Sequence, residues 1–139
     1  MQPVRILLAE STESMQQAKS ALAEYEIYDA TTLEQAERLV VEDGISLFVV
    51  GIHFDDSRAG ELIKFIRKDA KHKTTPILVL RTAASQVADY LRSTMDVMKS
   101  VQTISEYLEL ELEENPGPII KEAAARCLAN HSSKMASDI

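Results

Sequence analysis

At 139 residues, with 45% apolar and 27% charged side chains, the chain is long enough for one domain with a real hydrophobic core. Its formal net charge of −7 argues against nucleic acid as a partner, because that binding relies on basic side chains meeting phosphates. The best basic cluster, Lys68-Asp69-Ala70-Lys71-His72-Lys73, reads as a solvated helix end favoured by the helix dipole. No apolar run approaches the length needed to cross a bilayer, so no membrane contact is expected. Met1-Gln2-Pro3-Val4-Arg5 leads straight into a strand-like run and lacks the pattern of a signal peptide. The single cysteine, Cys127, permits no internal disulfide, which fits a cytoplasmic location.

Val4-Arg5-Ile6-Leu7-Leu8-Ala9 is a short apolar run and the first expected strand, with Glu10 at its carboxyl end. Ser11 to Glu24 follows at helical spacing, with Met15, Ala18, Leu22 and Tyr25 on one face and Ser11 or Thr12 as cap. Glu26-Ile27-Tyr28-Asp29-Ala30 alternates as a more exposed strand. Thr32 and Gln35 match a capping box that opens a helix carrying Leu33, Ala36, Leu39 and Val40 inward and ending at Gly44. Ile45 to Val50 is apolar on both faces, the mark of a strand in the middle of a parallel sheet covered on each side. It ends at Gly51. Asp55-Asp56-Ser57 offers caps for a third helix with Ala59, Leu62, Ile63 and Ile66.

Thr75-Pro76-Ile77-Leu78-Val79-Leu80 is a fourth strand, again apolar on both faces. A short helix is expected over Ser85 to Ser93, and a brief fifth strand at Asp96-Val97-Met98. Thr103 with Glu106 opens a further helix burying Ile104, Tyr107, Leu108 and Leu112. Asn115-Pro116-Gly117-Pro118 breaks the chain, dividing a domain over residues 1–114 from a linker and amphipathic helix over 115–139. Strand and helix alternating five times imply right-handed βαβ units and a parallel sheet.

This order, with Ile6-Leu7-Leu8-Ala9-Glu10-Ser11, Leu47-Phe48-Val49-Val50-Gly51, Thr75-Pro76-Ile77-Leu78-Val79-Leu80 and Val97-Met98-Lys99-Ser100, resembles the receiver domain of bacterial response regulators over about Val4 to Glu113. The resemblance implies an α/β, flavodoxin-like three-layer sandwich: a parallel five-stranded sheet in the order 2-1-3-4-5, helices on both faces, and here an extra C-terminal helix. It also implies a reaction. In that family an aspartate ending the third strand takes phosphate from a histidine kinase. Two acidic residues after the first strand hold Mg²⁺, a Thr or Ser ends the fourth strand, and Lys-Pro ends the fifth. The metal and the lysine offset the charge that develops on the phosphoryl oxygens.

The chain departs from that pattern at nearly every position. Gly51 stands at the phosphoacceptor, Glu10 and Ser11 at the acidic pair, and Arg81 at the hydroxyl, with Thr82 one residue on. Asp96 stands at the fifth-strand aromatic; Lys99 is kept but Ser100 replaces the proline, so a trans bond is expected there. Arg81 and Lys99 are expected to supply fixed positive charge in place of the metal, paired with Glu10 and Asp55. No cofactor and no metal are expected.

Asp55 and Asp56 are candidate substitute carboxylates, with helix capping the preferred reading. His53 reads as a surface or hydrogen-bonded histidine, and His72 and His131 lie in polar segments without signal. The chain has neither a glycine-rich phosphate loop nor a nucleophile elbow. The apolar face of Ile119, Ile120, Ala123, Ala124, Cys127 and Leu128 needs a partner: it could fold back on its own domain, pair with a second copy or begin a linker, and the preferred reading is an interface for a second copy or another protein.

The leading reading is therefore a pseudo-receiver: a non-enzymatic signalling module that binds a protein partner without being phosphorylated. The alternative is a phosphotransfer-competent receiver using Asp55, Asp56 or Glu10 with Mg²⁺. A third is a flavodoxin-like small-ligand binder or enzyme.

Overall fold

The structure is a computed structural model that describes residues 4–42, 44–82, 94, 95, 98 and 103–137. The two doubly apolar runs become neighbouring central strands. β1 is Arg5–Ala9, β2 Glu26–Ala30, β3 Ile45–Gly51, β4 Ile77–Arg81 and β5 Glu106–Glu109, all parallel and ordered β2-β1-β3-β4-β5. The register sets Ala9 beside Val50 and Gly51 beside Leu80, so the carboxyl ends of the three inner strands come together. That edge is where an open α/β sheet places its functional groups.

Strand alternation sends side chains to two layers. Leu7, Phe48, Val50, Ile77 and Val79 meet α2 (Leu33–Val40) and α3 (Ala59–Lys68) on one face. Ile6, Leu8, Leu47, Val49, Leu78 and Leu80 meet α1 (Thr12–Ala21) and α4 (Gly117–Ser137) on the other. The caps follow the side-chain chemistry: Ser14 N donates to Ser11 Oγ at 3.3 Å, and Gln35 N to Thr32 Oγ1 at 3.2 Å. Gln35 Oε1 in turn accepts from Thr31 N at 3.0 Å, one residue before the cap, a variant of the capping box.

The carboxyl-terminal third departs from the sequence reading. β5 is Glu106–Glu109, where helical spacing predicts a helix, and residue 98 is helical, not extended. Leu112, assigned to the buried stripe of that helix, is 92% exposed, whereas Leu110 is buried. The true period is two, with Tyr107, Glu109 and Glu111 alternating against Leu108 and Leu110. Tyr107 and Leu108 satisfy either period, and the edge strand is too short for the ambiguity to resolve locally. The helix expected over Ser85 to Ser93, and Asp96, Lys99 and Ser100, lie outside the described residues, so the metal-substituting role of Lys99 and the Lys99-Ser100 bond do too.

The face assigned to an external partner is internal. Ile120, Ala123, Ala124 and Cys127 of α4 are fully or almost fully buried against β3, β4 and α1, with Ile119 and Leu128 packed at the edge. The helix serves as the second cover of the sheet, so the boundary expected at 114/115 divides nothing in the packing. Burial with Glu106 nearby pushes the Cys127 thiol up to about 12, which keeps it protonated and unreactive.

His72 is likewise buried, not a solvated surface group. Its Nδ1 lies 2.9 Å from Thr75 Oγ1 and its Nε2 3.2 Å from the Val40 carbonyl, with the ring edge-on to Phe48. Arg67 beside it donates to the carbonyls of His72, Thr75 and Thr103, tying the turn before β4 to the approach to β5.

Candidate functional site

Glu10 leaves β1 at the sheet's carboxyl edge and turns its side chain across Gly51. It is fully buried. A Cβ on residue 51 would lie 2.0 Å from Glu10 Oε1 and 2.3 Å from Cδ and Oε2, far inside van der Waals contact. Gly51 is therefore required by space. Its φ is not in the left-handed region; what demands glycine is the carboxylate occupying the volume in which any side chain on residue 51 would begin.

Glu10 Oε1 accepts from Ser11 N at 2.9 Å, while Oε2 is buried with no hydrogen-bond partner among the described residues. Burial pushes the carboxyl up to about 7, with the Ser11 hydrogen bonds opposing. Ser11 itself caps α1. One turn on, Ser14 Oγ lies 2.8 Å from Thr82 Oγ1, joining α1 to the end of β4 across the strand ends. Thr82 is thus engaged by a helix hydroxyl, a contact that the sequence reading does not foresee.

Arg81 sits beside the site, with a different partner from the expected one. It shares the sheet face of Ile77 and Val79, on which β5 presents Tyr107 and Glu109 and the turn just after β5 adds Glu111. Arg81 is 2% exposed, and its Nη1 lies 3.3 Å from Glu111 Oε1. The expected pairing with Glu10 or Asp55 is replaced by this cross-strand pair. Its physical reason is register: Arg81 lies opposite Glu109, so residues 107 and 111 are its diagonal neighbours on the same face. Sequence spacing misses Glu111 and Tyr107 as site residues because their segment also fits a helical period. The Tyr107 hydroxyl is pushed up by burial and by Glu109, with Arg81 opposing.

Of the candidate carboxylates of the β3–α3 loop, Asp55 is tied to a neighbouring helix and Asp56 faces outward. Asp55, Asp56 and Ser57 have φ of 43°, 54° and 68°, three consecutive residues in the left-handed region. Each such residue costs roughly 1–2 kcal/mol, least for Asp and Asn. The turn is held by Arg58 N donating to Phe54 O at 2.8 Å and by the buried Phe54 ring. Asp55 Oδ2 accepts from Leu33 N at 2.7 Å, so it caps the neighbouring helix α2, while the N-cap of α3 is Arg58, which makes no side-chain cap bond. The expected capping of α3 by this segment is corrected accordingly. Asp56 is exposed. Replacing Asp55 with alanine removes that cap and leaves a β-carbon at positive φ without a compensating bond. Urea unfolding should show a loss of about 1–2 kcal/mol, whereas Asp55→Asn should retain more than half of it.

The residues present do not fit the family's Mg²⁺. That ion takes a tight octahedron of oxygens. Here one carboxylate and one capping hydroxyl stand at the expected place, and the carboxylate fills the acceptor's space. Among the described residues no group of three His, Cys, Asp or Glu side chains could hold a metal.

Comparison with known proteins gives the fold a counterpart. No family model and no curated protein matches the chain. Solved structures do match, although at low identity. The phosphorylated cyanobacterial phytochrome response regulator RcpA aligns over 93% of this chain and 96% of its own, at 16% identity and a TM-score of 0.72. A CheY-like receiver domain from Methanospirillum hungatei JF-1 covers 96% and 99%, at 16% identity and TM-score 0.71. The signal receiver domain of an HD domain-containing protein from Pseudomonas fluorescens Pf-5 covers 98% and 94%, at 16% identity and TM-score 0.75. With its parallel five-stranded sheet in the order β2-β1-β3-β4-β5, the chain has the flavodoxin-like fold of response-regulator receiver domains.

Proposed function

We propose that this chain is a pseudo-receiver: a signalling module with the receiver fold that works by binding a protein partner, without phosphorylation and without catalysis of its own. The observation that carries the reading is the Glu10 carboxylate lying where a side chain on residue 51 would have to start. A receiver switches when an acceptor carboxylate gains phosphate and neighbouring groups move toward it. Here the acceptor's place is filled by the residue that would otherwise bind the metal. Arg81 takes the place of the responding hydroxyl, and the hydroxyl one residue on, at Thr82, is bonded to Ser14. The pocket is built as a fixed structure, and specificity then rests on the outer surface. No helix among the described residues is long and apolar enough to cross a membrane.

Incubation with phosphoramidate and Mg²⁺, followed by intact mass, tests this directly. The expected result is an unchanged mass, under conditions in which an ordinary receiver run alongside gains one phosphate. A gain of one phosphate, mapped to Asp56, Asp55 or Glu10, would overturn the reading in favour of a receiver that uses a substitute carboxylate.

A further inference from the structure

Among the described residues, two surfaces of opposite charge lie at opposite ends of the sheet. At the amino-terminal end, between the last turns of α3 and the approach to β5, lies a groove of about 420 Å³. Met98, half-buried, and the methylene stems of Lys64, Lys68 and Lys73 give it apolar surface above the buried Ile63, and the three ammonium groups give it charge. Lys64 and Lys68 are exposed and make no ion pair among the described residues. Lys73 Nζ donates to the Arg67 carbonyl at 2.8 Å, which holds it at the rim. In a chain of net charge −7 this concentration of positive charge around apolar surface stands against the general field.

At the carboxyl-terminal end, the turn after β5 presents the opposite chemistry. Leu112 is 92% exposed, in the sequence Glu111-Leu112-Glu113-Glu114. Glu111 turns inward to Arg81. Glu113 and Glu114 are exposed and make no ion pair among the described residues. A single apolar knob therefore projects beside exposed carboxylates, and a lone exposed leucine on a tight turn contributes nothing to this chain's own core.

We propose that these two surfaces bind each other between copies of the chain, Leu112 entering the groove against Met98 and the lysine stems while Glu113 and Glu114 meet Lys64, Lys68 and Lys73. Charge sign, apolar centre and polar rim match on both sides, the arrangement of a small protein interface. Because knob and groove lie at opposite ends of one molecule, the contact is heterologous, and copies add head to tail without closing a pair. The area is small, so association is weak and concentration-dependent. This proposal goes beyond the pseudo-receiver reading and does not depend on the phosphorylation state of the site.

Sedimentation velocity across a concentration series tests it, with two surface variants, Leu112→Ser and Lys64→Glu/Lys68→Glu. Wild type is expected to form species larger than a dimer as concentration rises. The association should weaken on going from about 0.1 M to about 1 M salt, as the Debye length falls from about 10 Å to about 3 Å. Each variant alone should associate about tenfold or more weakly. An equimolar mixture of the two should recover dimers and nothing larger, because only one intact knob and one intact groove remain per pair. A wild type that stays monomeric at all concentrations, or a closed dimer insensitive to both variants, would overturn the proposal. Binding of an acidic peptide in the groove of a monomeric wild type would assign that surface to another protein instead.

Discussion

Replacing Arg81 with methionine is expected to lower the stability of this domain by about 3–5 kcal/mol, the usual cost of removing one member of a buried ion pair. The guanidinium is almost wholly enclosed between β4 and β5, and the side chain of its partner Glu111 is only 13% exposed. Methionine fills similar volume, so the loss comes from the carboxylate left behind. Replacing both residues, as Arg81→Met with Glu111→Met, should recover most of the loss, because two apolar side chains leave no charge to compensate. Urea unfolding of the single and double variants measures both effects, as shifts of midpoint at constant slope. A single-variant loss under about 1 kcal/mol would mean that Glu111 finds water once Arg81 is gone, as exposed pairs do. The pair would then be a neighbour of the site and no lock on the edge strand.

A second large effect should appear with pH. Glu10 titrates near 7 in the folded protein because burial disfavours its charged form, against 4.5 for an unperturbed glutamate. The folded state therefore holds its proton to higher pH than the unfolded chain does. Its contribution is fully present below about 4.5, declines as pH rises through about 7, and is flat above. The difference amounts to about 3 kcal/mol, since each pH unit between the folded and unfolded values is worth about 1.4 kcal/mol. Glu10→Gln keeps the volume over Gly51 and an oxygen for Ser11 N, yet cannot ionise. Wild type and variant should be equally stable near pH 4.5, and the variant more stable by about 3 kcal/mol at about pH 8. Because all other groups titrate in both proteins, the difference between the two stability curves isolates Glu10. A difference that stays constant across this range would show that the carboxylate is solvated. Gly51→Ala makes the same point from the other side. Its methyl group needs the carboxylate's place, so expulsion of Glu10 into water should flatten the pH dependence too.

Much of the scaffold is legible in local pattern. Leu47-Phe48-Val49-Val50 and Ile77-Leu78-Val79-Leu80 are apolar on both faces, which only a covered central strand requires, and the structure makes them β3 and β4. Ser11 and Thr32 have the chemistry of helix caps and serve as such. The absence of a nucleophile at the end of β3 is likewise plain from Gly51, since no neighbour can give glycine a reactive side chain. These properties belong to a residue and its immediate sequence, so they survive any packing.

What escaped the sequence is decided by contact. β5 is a four-residue edge strand, and a segment that short fits a helical and an extended period at once; pairing with β4 selects the second. An apolar helix face at 119–128 says that something must cover it, not what, and the vacant side of the sheet beside α1 supplies the answer. The charges at the site follow the same logic. Arg81 needs an anion wherever it is buried, but the register between β4 and β5 makes that anion Glu111 and leaves Glu10 to fold over Gly51. Periodicity reports how much of a segment is buried. Which groups meet inside depends on strand order and register, and those are properties of the assembled sheet.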